Sequence, residues 1–353
     1  MDRREFLKRS GWGLLGLAAS GSLLSCVSKL GEKSPEALRK TLASLRDVKI
    51  LWGDIHNHCN VTYGHGELED ALAAAREQLD FVSVTPHALW PDIPGENDPR
   101  LNWVIGYHTE AFKRLRAGGW DRYVKRLKEA NDPQKFLTFL SYECHSMEHG
   151  DHVALCYDYD TPLVECDSVP DLKEKLRNHK VFVTPHHMGY QGGYRGYNWD
   201  AFSDNDPQLP FVEMFSRHGL AEGDMGDYDY LHDMGPRVWE GTVQYGLEQG
   251  HKFGLICSTD QHAGYPGSYG DGRIGVLAES LDRDRLSRYL AATPGTVNCH
   301  IVMSVMLAVC FNPVLFYGVC RCVSESRNRS CFLFVTYRAF ALVCSLFDTS
   351  RLY

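Results

Sequence analysis

Imidazoles and carboxylates in this chain repeatedly follow β-like apolar runs. His56 and His58 come after residues 48–53, His87 after 81–85 and Glu143 after 136–140. His186 and His187 come after 181–184, and Asp260 and His262 after 253–257. Parallel strands closed into a barrel bring their C-terminal ends to one face, so residues remote in sequence converge there. Such a convergence, with no compensating Lys or Arg, would leave the groups repelling or unsatisfied. A cluster of divalent metal ions is the economical filling, so the pattern points to a metal centre.

The surrounding sequence supports the same architecture. Strand-like runs alternate with helix-like ones: residues 67–79 form a strong helix with acidic first-turn residues, leading into the strand at 81–85. Helices are expected over 109–130, with a break at Gly118-Gly119, and over 171–178 and 238–249. Further strands are expected at 181–184, 211–215, 253–258 and 273–278, so the fold class is α/β, as a seven- or eight-stranded barrel. Residues 89–108 and 188–206, rich in Gly, Pro, Asn and aromatics, read as long loops over the active face. The net charge of -8 gives no support to a nucleic-acid or anionic-membrane partner.

His56-Asn57-His58 places two imidazoles on the same side of an extended chain. His65-Gly66 follows on a turn, and Thr85-Pro86-His87 supplies another histidine at the next strand end. In order and spacing these pieces resemble the start of the polymerase and histidinol phosphatase (PHP) superfamily. That superfamily reads Asp-x-His-x-His, then a Tyr-x-x-His-Gly-type turn, then Thr-Asp-His. The resemblance extends to about residue 280: Ser141-Tyr142-Glu143 matches Gly-x-Glu, and Gly150-Asp151-His152 matches the next histidine motif. Pro185-His186-His187 matches the later one, with the two histidines competing for one ligand position, and Asp260-Gln261-His262 matches the closing Asp-x-His. An exported branch of unassigned function is most similar, through Trp52-Gly53-Asp54-Ile55-His56 and the stretch at residues 258–267. Pro86 departs from the pattern, standing where the superfamily carries Asp.

The resemblance implies a PHP-like distorted (β/α)7 barrel with metal ligands His56, His58, His65, His87, Glu143, His152, His186 or His187, Asp260 and His262. It implies two or three divalent ions (Zn, Mn or Fe) and phosphoester hydrolysis by a hydroxide shared between them, with ions ~3.5–4 Å apart. Glu143, Asp260 and His262 are the catalytic candidates; Glu143 and Asp260 bridge metals, and Asp260 or a histidine accepts the proton. The substrate is expected to be a small-molecule phosphoester, with Arg195, Arg217, His218 and Arg273 as candidates for binding it. Glu213 also lies at a strand end within reach of such a site. His108, His145, His149, His179, His232 and His251 read as surface or core histidines, His145 and His149 being the nearest exceptions. Hydrolysis of an amide or lactone, and non-catalytic metal binding by a lipoprotein, stand as alternatives.

The ends of the chain read differently. Arg3-Arg4-Glu5-Phe6-Leu7-Lys8 resembles a twin-arginine export signal, followed by an apolar stretch at 11–24 that is short for a membrane span. Leu23-Leu24-Ser25-Cys26 resembles a lipobox, which implies a periplasmic protein or one anchored by lipid at Cys26. The organisation expected is a signal at 1–30, a linker at 31–47, the metal-binding barrel at 48–292 and an atypical tail at 293–353. Six of the twelve cysteines lie in 299–353, a segment with no Lys. A membrane helix, a disulfide-rich extension and a non-native, frame-shifted end are its three readings, and the abrupt change in composition favours the last. The other cysteines form no CxxC pair, so a zinc ribbon is not supported.

Overall fold

The computed structural model describes residues 49–95, 98–99, 102–224, 237–268 and 271–290, and the strands at 302–307, 316–321 and 332–335. The expected signal, lipobox and linker lie outside the described residues, as does most of the tail. The elements are β1 (Lys49–Asp54), α1 (Leu68–Gln78), β2 (Phe81–Val82), β3 (His87–Leu89), α2 (Asn102–Arg114), α3 (Trp120–Ala130), β4 (Leu137–Thr138) and β5 (Leu140–Cys144). They continue with β6 (His152–Cys156), α4 (Val169–Leu176), β7 (Val181–Pro185), β8 (Phe211–Ser216), β9 (Gly219–Leu220), α5 (Val243–Glu248), β10 (Gly254–Cys257), β11 (Gly272–Ala278) and α6 (Arg283–Leu290). Three tail strands, β12 (Val302–Leu307), β13 (Phe316–Arg321) and β14 (Phe332–Val335), complete the order.

The molecule is mixed α/β. Its strands pair as three sheets, ordered β14-β13-β12-β11-β1-β2-β4, β10-β8-β9 and β3-β5-β6-β7. Parallel pairs join β1 to β2, β2 to β4, β3 to β5 and β8 to β10. Antiparallel pairs are frequent too: β11 runs against β1, and β6 runs against both β5 and β7. The strand β6 was not anticipated; its connection from β5 is too short for a crossover helix, so the chain can only turn back.

Several local expectations shift in position. The strand expected over 81–85 is confined to Phe81–Val82, and His87 opens β3 rather than following a strand. Glu143 lies within β5. Helix α2 begins well before residue 109 and occupies the end of the expected loop at 89–108. The break at Gly118 is present, with φ 93, in a π-helical turn at Leu115–Gly119 that separates α2 from α3. Residues 238–249 divide into a 3-10 turn at Trp239–Gly241 and α5.

Apolar packing fixes how the strands meet. Gly53 faces Phe81 across the β1–β2 pair, and a Cβ built there would lie 2.1 Å from the Phe81 ring. Leu68, Ala71, Leu72 and Ala75 form the buried stripe of α1, at the i, i+3, i+4, i+7 spacing of an amphipathic helix. This stripe joins a core with Leu115, Leu127, Tyr142 and Val183. Helix α4 starts on Ser168, whose hydroxyl accepts from the Asp171 backbone N–H, with proline in its first turn.

Candidate metal centre

Five groups of buried or half-buried ligand-type side chains lie together among the described residues. They are His58/His87/His262, His87/His108/His145, Glu143/Asp151/His186/His187, His56/His58/Asp260 and His187/His218/Asp260, with the ligand atoms of each group within 4.8 Å of one another. Shared members make them one continuous cluster.

Backbone and carboxylate partners orient the two leading imidazoles. His58 Nδ1 lies 2.6 Å from the Thr85 carbonyl, to which it donates, so its Nε2 carries the lone pair. His56 Nδ1 donates to Glu213 Oε2 at 3.0 Å, which again turns a lone pair onto Nε2. These two Nε2 atoms stand 3.2 Å apart, and Asp260 Oδ1 is 2.9 Å from one and 3.3 Å from the other. Three electron-rich atoms therefore face a common point. Tetrahedral Zn–N bonds of ~2.0–2.1 Å place neighbouring ligand nitrogens about 3.3 Å apart, so the observed spacing fits a shared ion. His262 Nε2 and His87 Nε2 show the same spacing at 3.3 Å.

Glu143 faces two ways. Its Oε1 is 3.0 Å from His186 Nε2 and 3.3 Å from His145 Nδ1. Its Oε2 is 3.4 Å from His87 Nε2 and 3.6 Å from His58 Nε2. Asp260 does likewise, with Oδ1 toward His56 and His58 and Oδ2 3.1 Å from His218 Nε2. Glu143 Oε2, His186 Nδ1 and His187 Nδ1 are buried without a hydrogen-bond partner. Orphaned polar atoms in a donor set of imidazoles and carboxylates are what a multinuclear divalent centre requires, so the residues fit the metal.

Burial and charge set the protonation of the cluster. Burial alone would lower the His56 pKa, but Asp260 and then Glu213 outweigh it and raise it to about 10, so without a cation its Nε2 is protonated and presents the lone pair only when a metal displaces that proton. Burial would raise Asp260, yet the charges of His56 and His218 hold it well below the usual carboxylate range. Burial, helped by neighbouring imidazoles, keeps His87, His187 and His262 well below the usual histidine value and His186 at about 3. Those four are neutral near pH 7, the form that binds metal.

Asp54 braces the cluster from outside it. Its carboxylate accepts from Thr259 Oγ1 at 2.7 Å, Thr259 N at 3.2 Å, Gly267 N at 2.8 Å and His56 N at 3.3 Å. The strand end carrying His56 is thereby tied to the loop carrying Asp260 and His262. Burial pushes Asp54 up to about 6, against the pull of these hydrogen bonds. His187, Arg195 and Asp260 have positive φ values of 55, 67 and 46. They are the non-glycine residues with left-handed backbone among those described, and all border the cluster.

Of the sequence candidates, His56, His58, His87, Glu143, His186, His187, Asp260 and His262 come together, and His218 joins them. Both His186 and His187 face the cluster. His65 does not join: it is exposed, and its backbone N–H donates to the His262 carbonyl at 2.6 Å. His152 is buried outside the groups, its Nδ1 donating to the Gly150 carbonyl at 2.9 Å. In the β5–β6 register His152 opposes Cys144, so it lies on the sheet face away from Glu143. Arg195 is buried and paired with Asp151, its Nε donating at 2.7 Å. Arg217 is exposed beside Asp271, and Arg273 donates to Gln78 Oε1 at 2.6 Å and to the Gly267 carbonyl.

Three members of the cluster lie outside the sequence candidates. His145 repeats the alternation of His56-x-His58 as Glu143-x-His145, a signal present in the sequence. His108 comes from α2, and its Nε2 lies 3.0 Å from His145 Nε2; nothing local marks it. Asp151 was read only as the neighbour of His152, yet it holds His145 at 3.0 Å as well as Arg195. A separate cavity of about 550 Å³, lined by Leu155, Cys156, Val181 and Phe182 among others, opens at the other ends of β6 and β7 and includes no cluster residue.

No family model and no curated protein matches the chain. Among solved structures, a two-domain protein from Bacteroides vulgatus ATCC 8482, described as containing a predicted PHP-like metal-dependent phosphoesterase, is similar over 83% of this chain and 86% of its own. The TM-score is 0.42 and the identity 12%. Endonuclease Q, in complex with a 27-mer duplex substrate with an abasic lesion at the active site, is similar over 70% of this chain and 57% of its own, with TM-score 0.40 and 13% identity.

Proposed function

We propose that the chain is a metal-dependent hydrolase acting on a small-molecule phosphoester, of the PHP type and with its three sheets forming arcs of one distorted barrel. The observation that carries the reading is the two-way placement of Glu143 between sets of imidazoles whose bare nitrogens face one another. His56, His58 and Asp260 would hold one ion, His87 and His262 a second, and His186 with Glu143 a third, shared through the carboxylate. Bound divalent ions supply Lewis acidity and a water of lowered pKa.

The protein's own groups do the rest. Thr85 and Glu213 fix the tautomers of His58 and His56, which sets the direction of both lone pairs. Asp260 stays ionised, and its Oδ2 lies 3.1 Å from His218 Nε2, the imidazole placed to hold a proton released at the centre. Arg195 neutralises Asp151 beneath the cluster and so offsets one of its buried charges. The burial of nearly every ligand keeps bulk water from competing for the centre.

Metal analysis of purified protein, combined with a panel of phosphomonoesters, phosphodiesters, an oligonucleotide, amides and lactones, tests the reading. Metal retained with phosphate release from small esters is the expected result. Turnover only of amides or lactones, or only of the oligonucleotide, would replace the substrate class; retained metal with no turnover would leave a metal-binding lipoprotein. Export through the twin-arginine signal and a lipid anchor at Cys26 belong to the same proposal. Both are checked by fractionating cells that express Arg3→Lys/Arg4→Lys or Cys26→Ala.

A further inference from the structure

The exposed large hydrophobic side chains among the described residues are Trp103, Tyr107 and Tyr265, at 50%, 62% and 61% exposure. Their placement is uneven. Trp103 and Tyr107 stand one turn apart on α2, hence on one face of the helix. The Tyr107 ring lies 6.4 Å from that of Tyr63. Tyr63 in turn lies 3.9 Å from the ring of His87 and 5.3 Å from that of His262, tilted by 32° and 21°. His262 is half-buried, whereas His56, His58, His87, His186 and His187 are buried, so the His262 edge of the cluster is the one nearest solvent. Tyr265 follows on the same short loop, which the turn carrying Tyr63 meets through the His65–His262 backbone bond.

On the hydrolase reading, side chains at this edge would meet the part of the substrate that does not react. Aromatic faces held in water at such a place gain by covering a flat apolar group. From this placement, and resting on the hydrolase reading above, we infer that the substrate carries a planar aromatic ring next to its scissile bond, seated against Tyr107 and Trp103. An aryl ester and a nucleotide base share that chemistry.

The test uses metal-loaded full-length protein with 1-naphthyl phosphate, adenosine monophosphate and glycerol phosphate as probes. For wild type, kcat/KM should favour one or both aromatic esters over glycerol phosphate. In Tyr107→Ala that preference should fall roughly tenfold, as loss of one stacking partner implies, and Tyr107→Phe should retain it. Naphthyl phosphate preferred over the nucleotide identifies an aryl ester; the reverse identifies a base. Quenching of Trp103 fluorescence by the same two ligands, read as the difference between wild type and Trp103→Phe, gives a readout free of turnover. Binding weakened by Tyr107→Ala with no hydrolysis of any ester would sustain the aromatic seat and refute the phosphoesterase. Hydrolysis without aromatic preference, or absence of both quenching and preference, would overturn the inference. Both side chains are exposed, so their replacement leaves the fold in place.

Discussion

Replacing Glu143 by Gln keeps the side chain's size but removes the charge that its two oxygens present to His186 on one side and to His58 and His87 on the other. The expected result is loss of at least one metal equivalent by elemental analysis and loss of turnover, with circular dichroism unchanged. Unaltered metal content and full activity would refute the bridging role. Arg195→Met tests a different charge. Asp151 is fully buried, and removing its guanidinium partner should destabilise the protein by about 3 kcal/mol in denaturant unfolding. Adding Asp151→Asn to that variant should recover part of the loss, because the uncompensated carboxylate is then gone. How much of the site the sequence disclosed divides along the same lines. His56, His58, His87, Glu143 and Asp260 were legible because each sits in a local motif beside an apolar run, the first two sharing one. Asp151 and His108 were not, because they enter through packing: Asp151 under Arg195, His108 from a helix where a loop was expected. His65 and His152 were matched by motif but turned away by a backbone bond and by sheet register.

At the scale of elements, β1 and β2 meet through Gly53 and Phe81, and the close approach leaves no room for a side chain at residue 53. Gly53→Ala should therefore push β1 off Phe81 and cost roughly 1–3 kcal/mol, the range for overpacked cores. Because β1 leads straight to His56 and His58, metal content should fall with stability, whereas a change in stability alone would separate the strand from the site. The alternation of strands and helices was readable from periodicity, which reports burial of one face. Direction was not: an apolar run such as residues 152–156 looks the same whether its neighbours run with it or against it, so the antiparallel β6 could not be anticipated.

For the whole molecule, the tail offers the sharpest test. β12 pairs with β11 and the further strands extend the sheet outward, yet every cluster residue precedes residue 263. A chain ending at residue 298 should bind the same number of ions as the full chain. Loss of soluble protein on that deletion would show that the β11 edge needs its cover. Stripping the ions with a chelator should lower the melting temperature, and restoring them at one hundred times their Kd should return about 2.7 kcal/mol for each site refilled. His58 and Asp260, which meet at 2.9 Å, are separated by 202 positions in the chain. A chain emerging from the ribosome therefore cannot close the centre until its last ligand loop is made. On the hydrolase reading an ion would then inspect only that stretch of the chain: a copy cut before Asp260 and His262 would have no place to keep it, whereas one cut after the last ligand loop would.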